Sequence, residues 1–315
     1  MLGAIRFILA AMVVLAHTSG YPHGAWPDPG LPAVIGFFFL SGVLMPAAFD
    51  RNYAAGSFSE QAARFTFNRL LKIFPLYWLS LAVAIWLNWR AHGWEFAYAI
   101  GHPWTFVQNG LLLGLNQVEF WGKDVRFIGP AWTLDIELQF YLLVPLLVWL
   151  SRRWPRASAW ILAALSLLSL ALLMRPAGVT GVDKSLLPWF CCFGAGFLLQ
   201  RLRPSILNMA SRGSGVGFVL LGDLSYPLYL IHRPMLEIEL GTRLVARAVQ
   251  PGLALVFVSN LLVASATALL IHVLAARGIE TIRSRVRRGS LFPGTRPLPQ
   301  DISEKPLAGG LRQAA

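Results

Sequence analysis

The chain is 315 residues long, 56% hydrophobic and only 13% charged, with a formal net charge of +12. An ordinary soluble domain carries about 25% charged residues, and one core could not hide this much apolar surface. Nucleic-acid binding is a poor account of the positive charge, because the basic residues form no continuous track. They sit instead in short blocks between apolar runs, such as Arg152-Arg153, Arg201 with Arg203, and Arg283, Arg285, Arg287 and Arg288. Blocks of that kind mark the cytoplasmic loops of a membrane protein.

The apolar runs are long enough to span a bilayer, which takes about 20 helical residues. Backbone polar groups in lipid must bond within the protein, so the choice is helices or a closed barrel. Runs such as Ile161 to Met174 lack the polar–apolar alternation of barrel strands. The expected fold is therefore all-α, a polytopic transmembrane bundle of about 8–10 spans.

In chain order, spans are expected at about 2–18, 31–49, 73–89, 131–150, 158–174, 186–200, 217–237 and 252–274. The first is read as a retained helix, since the stretch ends at His17-Thr18-Ser19 without a small-x-small cleavage site. A ninth segment, 104–115, contains Gln108 and Asn109 and reads as a span, a re-entrant piece or an interfacial piece. Eight spans with both termini cytoplasmic place Arg51, Arg64, Arg69, Lys72, Arg152, Arg153 and Arg201 inside. They leave the loop Ser19 to Gly30, which has no Lys or Arg, outside. Residues 1–288 form one transmembrane domain on this reading, and 289–315, rich in Pro, Gly and charge, form a disordered tail. The adjacent Cys191 and Cys192 suggest packing rather than a disulfide. No Cys/His spacing resembles a metal site.

Ionisable residues at membrane depth are costly and so mark candidate sites. Arg6 and His17 lie eleven residues apart, which on a helix is one face and about 16 Å of axial separation. Thr133, Glu137 and Tyr141 recur every fourth residue and share a face. Asp135 points elsewhere, nearer the aqueous boundary. Ser225, Tyr229 and His232 share another face, between Pro227 and Pro234. At the basic start of the third span, Arg69 and Lys72 face one way at the cytoplasmic surface. They either obey the positive-inside rule or grip phosphates. Structural readings stand beside each of these: a snorkelling Arg6, an interfacial His17 or His232, and Glu137 as an inter-helix bond. Residue chemistry alone leaves proton-transfer chemistry on a phosphate-bearing donor and ion-coupled transport both open.

Read together, these segments resemble the membrane-bound acyltransferase 3 family. Arg6 through His17 is similar to its first-helix arginine–histidine signature, and Phe37-Phe38-Phe39-Leu40-Ser41-Gly42 to its second-helix motif. Asn68-Arg69-Leu70-Leu71-Lys72, continuing to Pro75, is similar to its basic motif, with Lys72 where an arginine is usual. Pro130-Ala131-Trp132-Thr133-Leu134 with Glu137 is similar to its tryptophan–serine–leucine motif, with Thr133 for the serine. Ser225 through Pro234 resembles its late motif, and Glu280 sits where a closing glutamate is expected.

The resemblance implies an O-acyltransferase of the inner or plasma membrane. Its donor substrate would be a cytoplasmic acyl-CoA, commonly acetyl-CoA, with no permanently bound cofactor. Its acceptor would be a hydroxyl of an exported glycan such as exopolysaccharide or lipopolysaccharide. Carried over by position, His17 is the leading catalytic residue, with Glu137 and Arg6 as polar partners of the central site. Arg69 and Lys72 would contact the phosphates of coenzyme A. Ser41, Trp132, Thr133, Tyr229 and His232 would bind substrate or support the site. Glu137 is expected to orient His17 or stabilise its imidazolium, as carboxylates do in catalytic triads. The rival function is a transporter or flippase for a glycan or lipid-linked precursor.

Overall fold

The structure is a computed structural model that describes residues 2–18, 28–90, 93–112, 125–174, 185–204, 216–237 and 253–288. The tail at 289–315 lies outside the described residues, as does most of the loop at 19–30. Within them the chain is all helix: α1 (Leu2–His17), α2 (Gly30–Asn52), α3 (Phe58–Arg90), α4 (Trp94–Gly101) and α5 (Trp104–Leu111) come first. A 3-10 turn (Gly129–Ala131) then leads into α6 (Trp132–Arg153), α7 (Pro155–Leu173), α8 (Leu186–Leu202), α9 (Val216–Glu237) and α10 (Leu253–Arg287). Five of these regions are long and apolar enough to cross a membrane: α2, α3, the turn with α6, α7, and Leu255–Val273 of α10. The apolar α1 and α8 are shorter, at 16 and 17 residues. The 22-residue α9 carries Asp223 and two internal prolines. The chain is thus a polytopic, all-helical membrane bundle.

Side-chain contacts fix how the long helices run. At one end Asp50, in the last turns of α2, pairs with Arg152 of α6 and Arg201 of α8, each at 2.6 Å. At the same end Asn68 of α3 takes Arg283 Nε of α10 at 3.0 Å. At the other end Tyr229 of α9 meets Thr133 at the start of α6. There too His17, the last residue of α1, meets His232. Helices α1, α3 and α9 therefore run one way, and α2, α6, α8 and α10 the other. Between α6 and α7 stands Trp154 alone, followed by Pro155 at the first helical position, where its missing N–H costs nothing. Ser169 near the end of α7 donates to the Pro188 carbonyl at the start of α8, at 2.8 Å, so α7 also alternates.

The segment 104–115 is not a ninth crossing. Helix α5 has 8 residues, about 12 Å against a hydrocarbon core of about 30 Å, and Leu112 ends it in the left-handed region at φ 58°. Residues 113–115 lie outside the described residues. Tyr77 Oη donates to the Asn109 carbonyl at 2.6 Å, and Trp78 Nε1 to that of Gly110 at 2.7 Å. Tyr77 lies thirteen residues, about 20 Å, back along α3 from Arg90. After α3 ends, α4 and α5 therefore fold back along it. The Asn109 side chain secures the return by donating to the Thr105 and Val125 carbonyls and accepting from Phe127 N–H.

Two glycines set the closest helix pair. A Cβ on Gly42 of α2 would strike the Phe193 carbonyl of α8, and one on Gly196 of α8 would strike the Phe39 carbonyl of α2. Only backbones without side chains approach so closely, the usual device where lipid supplies no hydrophobic drive between helices. Beside this contact Phe38 stacks on Phe193 at 4.6 Å, and Phe193 on Phe140 of α6 at 4.2 Å.

Candidate active site

The candidate residues lie at three levels of the bundle. At the basic level, α3 begins at Phe58, well before the span expected from hydropathy, so Arg69 is already deep inside a continuous helix. It does not lie at the surface as the sequence reading expected, being 1% exposed. The covering elements are α2, through Met45, and its own helix, through Phe65, whose ring lies 5.5 Å from the guanidinium carbon. Among the described residues its Nε and Nη2 are buried without a hydrogen-bond partner. Lys72, half-buried one turn on, feels the charges of Arg6, Arg69 and Arg283 and of the Asp223 carboxylate. Glu280 binds Arg283 and Arg287 of its own helix, at 2.6 and 2.5 Å. Arg283, which joins this cluster through Asn68, looked in sequence like one more basic residue of the tail.

At the middle level a small cavity is lined by Arg6, Phe37, Phe38, Glu137, Ser225 and Tyr229, among others. Glu137 accepts a hydrogen bond from Ser41 Oγ at 2.6 Å and another from Tyr141 Oη. Its hydrogen bonds among the described residues run to α2 and along α6, so the expected Glu137–His17 bond is not made. Helix α2 stands between α6 and the end of α1, which is why the carboxylate is captured by Ser41. Asp135, two residues nearer the outer end of α6, is 5% exposed and accepts from Gln139 at 3.2 Å. Tyr226, inside the late motif but not singled out, lines the cavity and donates to the Ile73 carbonyl at 2.9 Å. That bond ties α9 to α3.

At the outer level the Thr133 and Tyr229 hydroxyls lie 2.6 Å apart, and both reach the Pro130 carbonyl, at 3.0 and 3.1 Å. Pro130 sits in the 3-10 turn, where its carbonyl also accepts from the Trp132 backbone N–H. Trp132, adjacent in sequence, turns towards α8 and packs on Trp189 at 5.4 Å. Ser225 donates to the Gly222 carbonyl at 2.7 Å. A Cβ on Gly222 would lie 3.0 Å from Gly3 Cα, so α1 and α9 run in close contact. Further along that contact the His17 and His232 rings come within 5.2 Å, centre to centre. His17 Nδ1 donates to the Val13 carbonyl at 2.8 Å, and Thr18 Oγ1 to that of Val14 at 2.9 Å, which closes the helix end.

The arrangement offers fixed cations at one end, a carboxylate and an arginine around a cavity, and a pair of imidazoles beyond. It suits an anionic donor held at one end and a proton transfer at the other.

Comparison with known proteins gives the family. The model of an acyltransferase domain matches residues 2–217, which include four of the five motif patches and stop inside α9 before Ser225. The chain is 27% identical over 186 residues to Nodulation protein 10 of Rhizobium leguminosarum bv. viciae, covering 52% of this chain and 48% of that protein. It thus spans about half the length of the curated relative it matches. No solved structure matches. With the matched region running from α1 through the basic cluster, the cavity and α8, the chain belongs to the acyltransferase 3 family of membrane enzymes that transfer acyl groups.

Proposed function

We propose that the enzyme moves an acyl group, commonly acetyl, from a cytoplasmic acyl-CoA to a hydroxyl of an exported glycan, in a cell inner or plasma membrane. One observation carries this reading. The buried cations of α3 and Arg6 stand at one end of the cavity line, and His17 stands about 16 Å further along the same helix as Arg6. That separation suits a donor with a phosphate-rich head and a long thioester arm.

In this mechanism Arg69 and Lys72 hold the donor's phosphates, as fixed cations do best on a rigid helix. Neutral His17 takes the proton of the acceptor hydroxyl while its oxygen attacks the thioester carbonyl carbon. The C–O bond forms, the C–S bond breaks, and the leaving thiolate receives the proton as free thiol. The chain's own carboxylate, Glu137, with Arg6 beside it, sets the charge of the cavity through which the arm passes.

The test is the acyl-ester content of surface and secreted polysaccharide, read by NMR with and without the gene. A specific ester signal should vanish on deletion and return with the wild-type chain but not with His17→Ala. Loss of the polysaccharide itself would favour the transporter reading instead.

A further inference from the structure

His232 is fully buried (0% exposed), yet the transfer as written uses only one histidine. Its Nδ1 lies 2.7 Å from the Tyr229 carbonyl oxygen. A carbonyl can only accept, so Nδ1 carries the hydrogen and Nε2 keeps its lone pair. That Nε2 is buried and has no hydrogen-bond partner among the described residues, an arrangement that costs stability and calls for a reason. His17 repeats the pattern, since its Nδ1 also donates to a backbone carbonyl of its own helix. Both rings are thus held in one tautomer, with Nε2 as the basic atom of each. Their centres are 5.2 Å apart and their planes inclined at 56°.

A histidine serving only to pack would not need a vacant basic nitrogen beside a second imidazole. We infer that His17 and His232 form a two-imidazole proton relay, with His232 as a second catalytic base behind His17. The proton of the acceptor hydroxyl goes first to His17 Nε2 as oxygen bonds to the thioester carbon. It is then shared with His232 Nε2 while the tetrahedral centre lasts. When the C–S pair leaves with sulfur, the same proton returns through the pair to the thiolate. Both imidazoles end neutral, and one proton has moved from oxygen to sulfur. The relay rests on the acyl-transfer reading for its substrates, but the pairing can be tested without it.

The surroundings suit a single shared proton. Charged or titratable neighbours of His232 are His17 of α1 and Arg233 of its own helix, and the Tyr229 ring lies 6.0 Å away. From α2 the facing group is Phe37, packed on Tyr229 at 5.8 Å. The 3-10 turn spends its Pro130 carbonyl on Tyr229 and Thr133. Helix α10 presents no charged residue over 253–263, and the bond from α9 to α3 is made two turns lower, at Tyr226. Among the described residues the carboxylate at this end of α1 is Asp28, beside Ala16 and so on the His17 side of the pair, while His17 and Arg233 oppose a proton on His232.

The decisive experiment is a pH titration of the full chain in lipid nanodiscs, with 15N-labelled histidine followed by NMR. Wild type, His17→Gln and His232→Gln are compared. The relay requires that the His17 and His232 signals move together on uptake of one proton, and that either substitution displaces the other signal by a pH unit or more. Identical curves for each histidine with and without its neighbour would overturn it, whether or not an acceptor has been found. Where transfer is measurable, His232→Gln should lower kcat about a hundredfold, in the range of general-base effects, with the donor KM little changed. Its pH–rate profile should shift as well. His232→Asn can restore a bond to the Tyr229 carbonyl but not the base, so recovery of wild-type kcat in that variant would show a structural role and sink the relay.

Discussion

Ser41 donates its hydroxyl to Glu137 Oε1 across 2.6 Å, joining α2 to α6 at the wall of the cavity. The next residue, Gly42, lies against the Phe193 carbonyl of α8, so the close helix contact also fixes where Ser41 points. One short motif thereby packs two helices and orients a carboxylate.

Removing that bond should slow transfer without unfolding the bundle. A hydrogen bond to a charged group contributes about 1.5–3 kcal/mol, so Ser41→Ala should lower kcat/KM by roughly ten- to a hundredfold. Glu137→Gln keeps the shape but removes the charge facing Arg6, and should lose at least as much. Initial rates in purified membranes, with elution profiles as the folding control, check both.

Gly42→Ala and Gly196→Ala should act on stability first. Each added methyl meets backbone rather than a movable side chain, and overpacking of this kind costs about 1–3 kcal/mol. A lower Tm in detergent and a broadened elution profile are expected. Gly101→Ala, where an added Cβ meets nothing within 4 Å, should leave both unchanged.

At the basic level, Lys72→Ala should raise the KM for acyl-CoA about tenfold and leave kcat nearly constant, the pattern of lost ground-state binding. Arg69→Lys should also weaken donor binding, because an ammonium cannot replace the planar fork of the guanidinium. Donor saturation curves at two salt concentrations decide this, with the Lys72 effect shrinking as salt rises.

Sidedness is open to a direct test. Arg285 on the last turn of α10 and Trp104 at the start of α5 are both exposed and lie at opposite ends of the bundle. With Cys191 and Cys192 replaced by serine, Trp104→Cys should react with a membrane-impermeant maleimide in intact cells. Arg285→Cys should react only after permeabilisation. The reverse pattern would invert the topology and place Arg69 and Lys72 on the wrong side for a cytoplasmic donor.

Much of this protein is legible in its sequence. Runs of about 20 apolar residues set the helical class, because lipid leaves the backbone no other way to bond along a single segment. The long helices lie where hydropathy put them, from α1 at the start to Leu255–Val273 near the end. Fixed spacings put Arg6 with His17, and Tyr229 with His232, on the same helices, and five motif patches carried the family resemblance. Helix ends were less readable. Hydropathy stops at the first charged residues, whereas α3 and α10 continue through Arg69 and Arg283 because those side chains are packed and paired.

Which polar groups meet was decided only by tertiary structure. Periodicity gives the face of a helix but not the helix it faces. Glu137 could therefore be placed at depth without revealing that Ser41 would hold it, and Arg69 appeared exposed until Met45 of α2 was packed beside it. The return of α5 depends on Tyr77, Trp78 and Asn109 meeting across 32 residues of chain, and the imidazole pair on two helices touching at glycine. Sequence fixes local geometry because covalent spacing enforces it; contacts between helices depend on backbone approach, which small residues permit and only the assembled bundle chooses.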